Sequence, residues 1–400
     1  CCESTILLEP AIHTNRLCRR LEDGLALGEH HAAEGYLAMA TFQKSRRNFL
    51  RRVYCLLPMN TKVVRLNSEL FPICEFEAAL HRQQGYELLA VEANTPAAII
   101  EHTADCDVLY VISTSLPTAV IESLSKCRVI SRIGAGTDKI DVAKATEMGI
   151  LVTNVPDFCV PEQADHTMML ILALARNLPL MSRAFQREGR FMDLLEQYDC
   201  NQRLSSSVLG LIGFGQSAKE VAKRANAFGM TVIATRRRRA AQDPEADSLG
   251  VKLVDLDTLL TQSDYVSLHL PLTEATHHLL DGKAIRKMKK TAFLINTARG
   301  AIVDEKALIE ALRERRIGGA GLDVFESINV FADAQQCPLQ HPLLDLDNVI
   351  VTPHSASYSQ QSREDVSTRA VANVAAVLAG RMPPEKNIVN AGVVPRNPLA

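Results

Sequence analysis

Val208-Leu-Gly-Leu-Ile-Gly213-Phe-Gly215-Gln-Ser-Ala218 reads as a strand, a tight turn and the start of a helix. Gly213 permits the turn, Gly215 lets the backbone approach a pyrophosphate, and Ala218 is small enough for close helix–strand packing where a third glycine is usual. The helix that follows, Gln216–Phe228, offers its N-terminal amides to an anion. A lone G-x-G-x-x-A is a weak signal. Here it follows one strand, opens a helix and leads into a second strand at Thr231–Ala234, which is the context a dinucleotide site requires. Gly213, Gly215, Gln216 and Ser217 are therefore the first candidate cofactor contacts.

An acidic residue about 20 positions further on normally takes the ribose hydroxyls. In this chain Thr235 is followed by Arg236-Arg237-Arg238-Arg239 instead. An acid there would repel a 2′-phosphate, whereas a guanidinium pairs with it bidentately and Thr235 can add a hydroxyl donor. Thr235, Arg236 and Arg237 thus point to NADP(H) in preference to NAD(H), with NAD still possible. The bland alternative is a solvated basic turn.

Further short apolar runs continue the series at Tyr265–His269, Ala292–Asn296, Gly319–Val324 and Val349–Val351, giving six strands with helices between them, a full Rossmann domain. An earlier series, Val63–Leu66, Glu87–Val91, Val108–Ile112, Val129–Ile133 and Leu151–Val152, alternates with helical patterns such as Glu75–Gln84 and Pro96–Ala104. Its rhythm is flavodoxin-like. Alternating units of this kind mean parallel sheets covered on both faces. A long helix from Pro161 to Leu178 joins the two series, and a last helix spans Ser362–Leu378 and stops at Gly380. Residues 1–58 have no such rhythm, are rich in Arg and His, and read as an extension outside the core, with Met59 as the expected natural start; Glu22, Asp23, Glu29 and Glu34 weaken a targeting role.

The bulk properties exclude several classes. With 400 residues the chain has room for two to three domains. A net charge of −2 argues against a general nucleic-acid surface. The best apolar run, Met168–Ala175, is about two helical turns and ends at Arg176, too short for a membrane span. The ten cysteines are scattered without a C-x-x-C pair, which fits reduced thiols in a cytoplasmic protein and no metal site.

More specific blocks follow one another in order: Val129-Ile-Ser-Arg-Ile-Gly134-Ala-Gly136-Thr-Asp138, Thr153-Asn-Val-Pro-Asp157, His269-Leu-Pro271-Leu-Thr273, Ile295-Asn-Thr-Ala-Arg299-Gly300, Gly321-Leu-Asp323-Val-Phe325-Glu326 and Val351-Thr-Pro-His354. Over roughly residues 62–391 the chain resembles the D-isomer-specific 2-hydroxyacid dehydrogenases. Asn154-Val-Pro, Ala164-Asp165 and His354-x-x-x-Tyr358-Ser359 look like the branch that includes the C-terminal-binding proteins. The resemblance implies a Rossmann domain, residues 158–352, inserted into a substrate domain made of 59–157 and 353–400. It implies that the amides of Ala135 and Gly136 hold a substrate carboxylate, that Arg299 clamps the carboxylate and polarises the oxo group, and that His354 exchanges the proton. His269, Pro271, Thr297, Ala298 and Asp323 would meet the cofactor, Asp323 facing the nicotinamide carboxamide. It also implies a homodimer through the long helix. The chemistry agrees: reducing a 2-oxo acid makes an alkoxide, which needs a positioned acid and an offsetting cation. An imidazole can serve in both directions near neutral pH.

The chain departs from the family at one point. The stretch usually of the form D-V-F-E-x-E-P is here Asp323-Val-Phe-Glu-Ser-Ile328-Asn329. Ile328 stands where the glutamate that partners the histidine is expected, and an isoleucine cannot raise an imidazole's pKa. Three explanations stay open: Glu326 or Asp333 reaches His354, the histidine works unassisted, or catalysis is lost and nucleotide binding kept. Two functions follow. One is an NADP(H)-linked reductase of a small 2-oxo acid such as glyoxylate or hydroxypyruvate. The other is a nucleotide-sensing module like the corepressors of that branch. In those corepressors a tryptophan follows the histidine by three residues, but here that position is Ser357 and the chain has no tryptophan.

Overall fold

The computed structural model describes residues 61–188, 201–237, 243–328, 331 and 340–399. The expectations for residues 1–58 and Met59 lie outside this set, as do Arg238, Arg239 and Asp333. Two parallel sheets carry the molecule. The first is built from β1 (Val63–Leu66), β2 (Leu88–Val91), β3 (Val108–Val111), β4 (Val129–Arg132) and β5 (Leu151–Thr153), in the order β2-β1-β3-β4-β5. This is the flavodoxin-like order. Alternate residues serve opposite faces. Val63, Val108 and Val129 pack with Val366, Ala370 and Val374 of the last helix, Gln360–Leu378. Val64, Leu109 and Ile130 pack instead against Ile99, Val120 and Ile121 of the intervening helices.

The second sheet contains β6 (Val208–Ile212), β7 (Thr231–Thr235), β8 (Lys252–Leu253), β9 (Tyr265–Leu268), β10 (Phe293–Asn296), β11 (Gly319–Leu322) and β12 (Val349–Val351). Its order, β12-β11-β10-β9-β6-β7-β8, is the doubly wound arrangement, with its reversal between β6 and β9. Ligands of such sheets sit outside the carboxyl ends of the strands at that reversal. The seventh strand, β8, was not expected from sequence. It is two residues long, lies at the edge, and leaves Lys252 exposed, so it carries no periodicity to read. The long helix is Val160–Ala175 rather than 161–178. Asn177 adopts the left-handed conformation (φ 46°), and a separate helix, Leu178–Glu188, begins there. Asparagine is one of the few residues that end a helix in this way.

The last segment of the chain is tied to the end of the first sheet. Asp157 pairs with Arg369 and, at 2.9 Å, with Lys386. Asn390 accepts from the Val152 amide at 2.8 Å. Between the exits of β10 and β11 the backbone is packed without room for a side chain. A Cβ on Gly300 would lie 2.0 Å from the carbonyl carbon and oxygen of Phe325. Gly300→Ala is therefore expected to cost about 1–3 kcal/mol, seen as a lower urea midpoint with an unchanged slope. Equal midpoints would show that these two loops are not pinned together.

Candidate active site

A cavity of about 660 Å³ opens at the carboxyl ends of both sheets and brings together Gly136, Arg299, Asp323 and His354. His354 follows β12 in the left-handed conformation (φ 55°), which costs a β-carbon-bearing residue free energy. What holds it there is Asp323, fully buried at the end of β11. Its Oδ1 accepts from the Thr352 hydroxyl at 2.6 Å and the Ser355 amide at 2.8 Å. Its Oδ2 accepts from the Ala356 amide at 2.9 Å, and its carbonyl accepts from the His354 amide at 2.9 Å. The carboxylate expected to face a nicotinamide is thus engaged mainly in shaping the histidine turn, although it still lines the cavity.

Arg299 leaves β10 and reaches over Gly136. Its Nε donates to Asp138 at 3.1 Å and its Nη1 to the Ala298 carbonyl at 2.8 Å. A Cβ on Gly136 would lie 1.7 Å from Arg299 Nη2, so only glycine admits this approach. The carbonyls of the 134–136 loop are turned to other partners. Asn154 donates to Ala135 at 2.6 Å, and Arg132 donates to Gly136 at 3.0 Å. Among the described residues nothing accepts from the Ala135 and Gly136 amides, which fits the carboxylate-binding role expected of them.

Sequence reasoning assigned no role to Arg132, Asp138 or Lys139. All three line the cavity. The signal was their place in and beside the Gly134-Ala-Gly136 block. Burial, then the charge of Arg299, push the Arg132 guanidinium down to about 10, still a cation at neutral pH. Lys139 is lowered by burial and donates to the Ser113 carbonyl at 3.1 Å. The cavity therefore has a cationic wall with one carboxylate, Asp138, set into it. His354 feels that wall: burial, then Arg299, push its imidazole down to about 4, against the opposing pull of Asp323.

The missing glutamate is not replaced by Glu326. Its Oε1 meets His278 Nε2 at 2.7 Å and its Oε2 accepts from the Glu305 amide at 3.4 Å. Among the described residues no carboxylate hydrogen-bonds the His354 ring. Glu305 in turn accepts from the Glu326 amide at 2.9 Å and the Ser327 amide at 3.3 Å, which fixes the segment leading to Ile328 at the cavity wall. His277, His278 and Glu326 are the group whose ligand atoms could surround a metal ion, all within 4.8 Å of one another, but they are largely exposed and already paired.

The nucleotide side has the shape the motif requires. Gly213 has φ 95°, and a Cβ there would lie 2.3 Å from the His269 carbonyl oxygen. Gly215 precedes the helix Gln216–Ala227 and has open space where a Cβ would stand, so a phosphate could approach its backbone and the unpaired first-turn amides. Ser217 and Ser267 hold the two ring nitrogens of His269 at 3.1 and 2.9 Å. Burial pushes that ring down to about 4, so it is a neutral spacer beneath the turn. Thr297 and Ala298 are fixed by Gln163, which donates to the Thr297 carbonyl at 2.8 Å, and by Asn296, which accepts from the Ala298 amide at 3.0 Å. The Pro271 carbonyl accepts from Thr276 at 2.7 Å. At the end of β7, Thr235 is half-buried, Arg236 pairs with Asp243, and Arg237 is exposed.

A dinucleotide turn beside a cleft that pairs a histidine with a cationic carboxylate site defines an NAD(P)-dependent dehydrogenase of 2-hydroxy acids. Residues 168–356 match the model of the D-isomer specific 2-hydroxyacid dehydrogenase NAD-binding domain. Over 306 residues the chain is 40% identical to a glyoxylate reductase of Korarchaeum cryptofilum, covering 75% of this chain and 87% of that protein. Among solved structures it is similar to D-lactate dehydrogenase of Aquifex aeolicus complexed with NAD and lactic acid, at 27% identity and TM-score 0.72, covering 82% of this chain and 99% of that one. It is also similar to an acyclic imino acid reductase in complex with NADPH and D-Arg, at 28% identity and TM-score 0.71, covering 82% and 100%. The chain belongs to the D-isomer specific 2-hydroxyacid dehydrogenase family.

The electrostatics set a pH dependence. With His354 as the expected proton acceptor, oxidation would need it neutral, and kcat/KM reports the free enzyme. With the imidazole near 4, kcat/KM for oxidation should stay level as pH falls through 6.5 and drop only around 4. Ile328→Glu, which returns a carboxylate to the cavity wall, should move that limb upward. A parent limb at or above about 7, well past the ordinary imidazole value, would show that a carboxylate from 332–339 reaches the ring.

Proposed function

We propose that the protein transfers a hydride between NADP(H) and a 2-oxo acid/D-2-hydroxy acid pair, with glyoxylate and hydroxypyruvate as the first substrates to try. The observation that carries this is the meeting of His354, Arg299, Arg132 and Gly136 in one cavity, beside Ala135 and Gly136 amides that no described residue accepts from. The two amides and Arg299 bind the substrate carboxylate. Arg299 also offsets the charge that develops on the oxo oxygen, where it is worth most in a water-poor cleft. His354 delivers the proton to that oxygen in reduction and removes it in oxidation. The nicotinamide, when bound, supplies or accepts the hydride. Residues 59–157 and 353–400 serve as the substrate domain and 158–352 as the nucleotide domain.

The cofactor preference rests on the basic turn after β7. Arg236 is directed by Asp243 and Arg237 is exposed, and no acid stands at the end of the strand to repel a 2′-phosphate. A homodimer is supported by large apolar side chains left exposed along the joining helices: Met169 at 44%, Leu178 at 59% and Phe185 at 60%. No described helix is long and apolar enough to cross a membrane, and the four described cysteines are free, which supports a cytoplasmic setting. Ile328 and the depressed His354 favour one other reading, a nucleotide-sensing module with little turnover.

Purified protein should consume NADPH in the presence of a 2-oxo acid, with a lower KM than for NADH, and His354→Ala should lower kcat by 10²-fold or more. Arg237→Ala should raise the KM for NADPH and not that for NADH. NADPH binding without any turnover would replace the enzyme by the sensing module. Light scattering of the same sample should give twice the chain mass; a monomer would remove the dimer.

A further inference from the structure

Resting on that reading, we infer that the cavity holds an apolar side-chain subsite, so that the preferred substrate is a 2-oxo acid with a branched or aryl side chain rather than glyoxylate or hydroxypyruvate. A 2-oxo acid is planar at its reacting carbon and offers three in-plane groups. The carboxylate goes to Gly136 and Arg299, and the oxo oxygen to Arg299 and His354. The third direction, along the far side of His354, belongs to the side chain.

Leu70, Phe71, Pro72, Ile328 and Phe331 line the cavity with apolar surface. The rings form a series that ends on the catalytic imidazole. Phe71 and Phe331 have centroids 5.5 Å apart at 54°, and Phe331 and His354 have centroids 4.9 Å apart at 43°. Both spacings are those of aromatic pairs. Leu70, Phe71, Ile328 and Phe331 are only half-buried and Pro72 is exposed, so apolar area remains to be covered. Covering such area is what favours an apolar ligand.

Two of the charged groups that line the cavity are already paired with each other. Arg65 and Glu77 are buried and paired at 3.1 Å, and Arg65 also donates to the Leu66 and Asn67 carbonyls at 3.1 and 2.9 Å. A substrate hydroxyl placed against this wall would lose its water without a partner in return. Ile328, standing where the family pattern has a carboxylate, turns a polar position into part of the apolar surface. The size of the cavity, about 660 Å³, leaves space for a ring beside the reacting groups.

The test uses the full chain with NADPH or NADH and four acids: glyoxylate, hydroxypyruvate, 4-methyl-2-oxopentanoate and phenylpyruvate. The apolar acids should show kcat/KM at least about 10-fold above glyoxylate, the discrimination that a few methylenes provide. Phe71→Ala and, separately, Ile328→Asn should lower the phenylpyruvate-to-glyoxylate ratio by about 10-fold. Glyoxylate or hydroxypyruvate as the best substrate, or variants that leave the ratio unchanged, would overturn the subsite while leaving the dehydrogenase intact. If no acid is turned over, the reductase reading fails by itself. The subsite is then decided by thermal shift with NADPH present, where phenylpyruvate must stabilise the protein more than glyoxylate at equal concentration.

Discussion

A single buried carboxylate sets the geometry of the whole site. Asp323 gathers the Thr352 hydroxyl and the amides of Ser355 and Ala356, and so closes a turn in which His354 must be left-handed. That conformation costs roughly 1–2 kcal/mol for a residue other than glycine. Each hydrogen bond to an ionised group contributes about 1.5–3 kcal/mol, so the two backbone amides alone outweigh it. The consequence is positional. Asp323 follows β11, and the chain leaves β10, β9 and β6 of the same sheet toward Arg299, His269 and Gly213. The histidine is thereby fixed to the same sheet edge that presents the arginine and the phosphate turn.

Much of this was legible in the sequence, for a physical reason. Parallel strands buried on both faces must be short apolar runs, and turns at their carboxyl ends must use glycine where the backbone approaches a ligand. The strand series and the Gly213 turn follow from those two rules. What escaped was what lacks a period. β8 is two residues at an edge. The break at Asn177 is marked only by the short Arg176-Asn177 interruption between two apolar stretches. The role of Asp323 in the histidine turn escaped as well, because its motif shows which strand end it occupies but not that its oxygens turn toward Ser355 and Ala356.

The polar partners of the site were the least legible. Arg132 ends β4, and Asp138 and Lys139 sit on the loop that follows, whose path depends on Gly134 and Gly136 tolerating guanidinium groups in the space a Cβ would fill. Pairings such as Arg299 with Asp138, or Lys386 with Asp157, join segments far apart in the chain. No local pattern encodes them. Glu326 shows the same limit from the other side: nearness to His354 in the motif made it a candidate partner, and the fold spends it on His278 and Glu305.

Among the described residues no carboxylate hydrogen-bonds the His354 ring, and the charges that act on it are mostly positive. In the free protein the ring faces Arg299, Arg132 and Lys139, and burial removes the water that would screen them. Burial first, and then repulsion by Arg299, disfavours an imidazolium there and makes the ring titrate low. A bound 2-oxo acid brings its own negative charge against Arg299 and the Gly136 loop, offsetting part of that repulsion at the place where the proton is needed. By linkage, substrate binding and protonation of His354 then favour one another, each strengthening the other by the same factor. In a family member with a glutamate on the ring, the protein itself supplies the countercharge before substrate arrives. Here Ile328 gives up that standing charge, and the substrate carboxylate becomes the group that brings the histidine toward its working range.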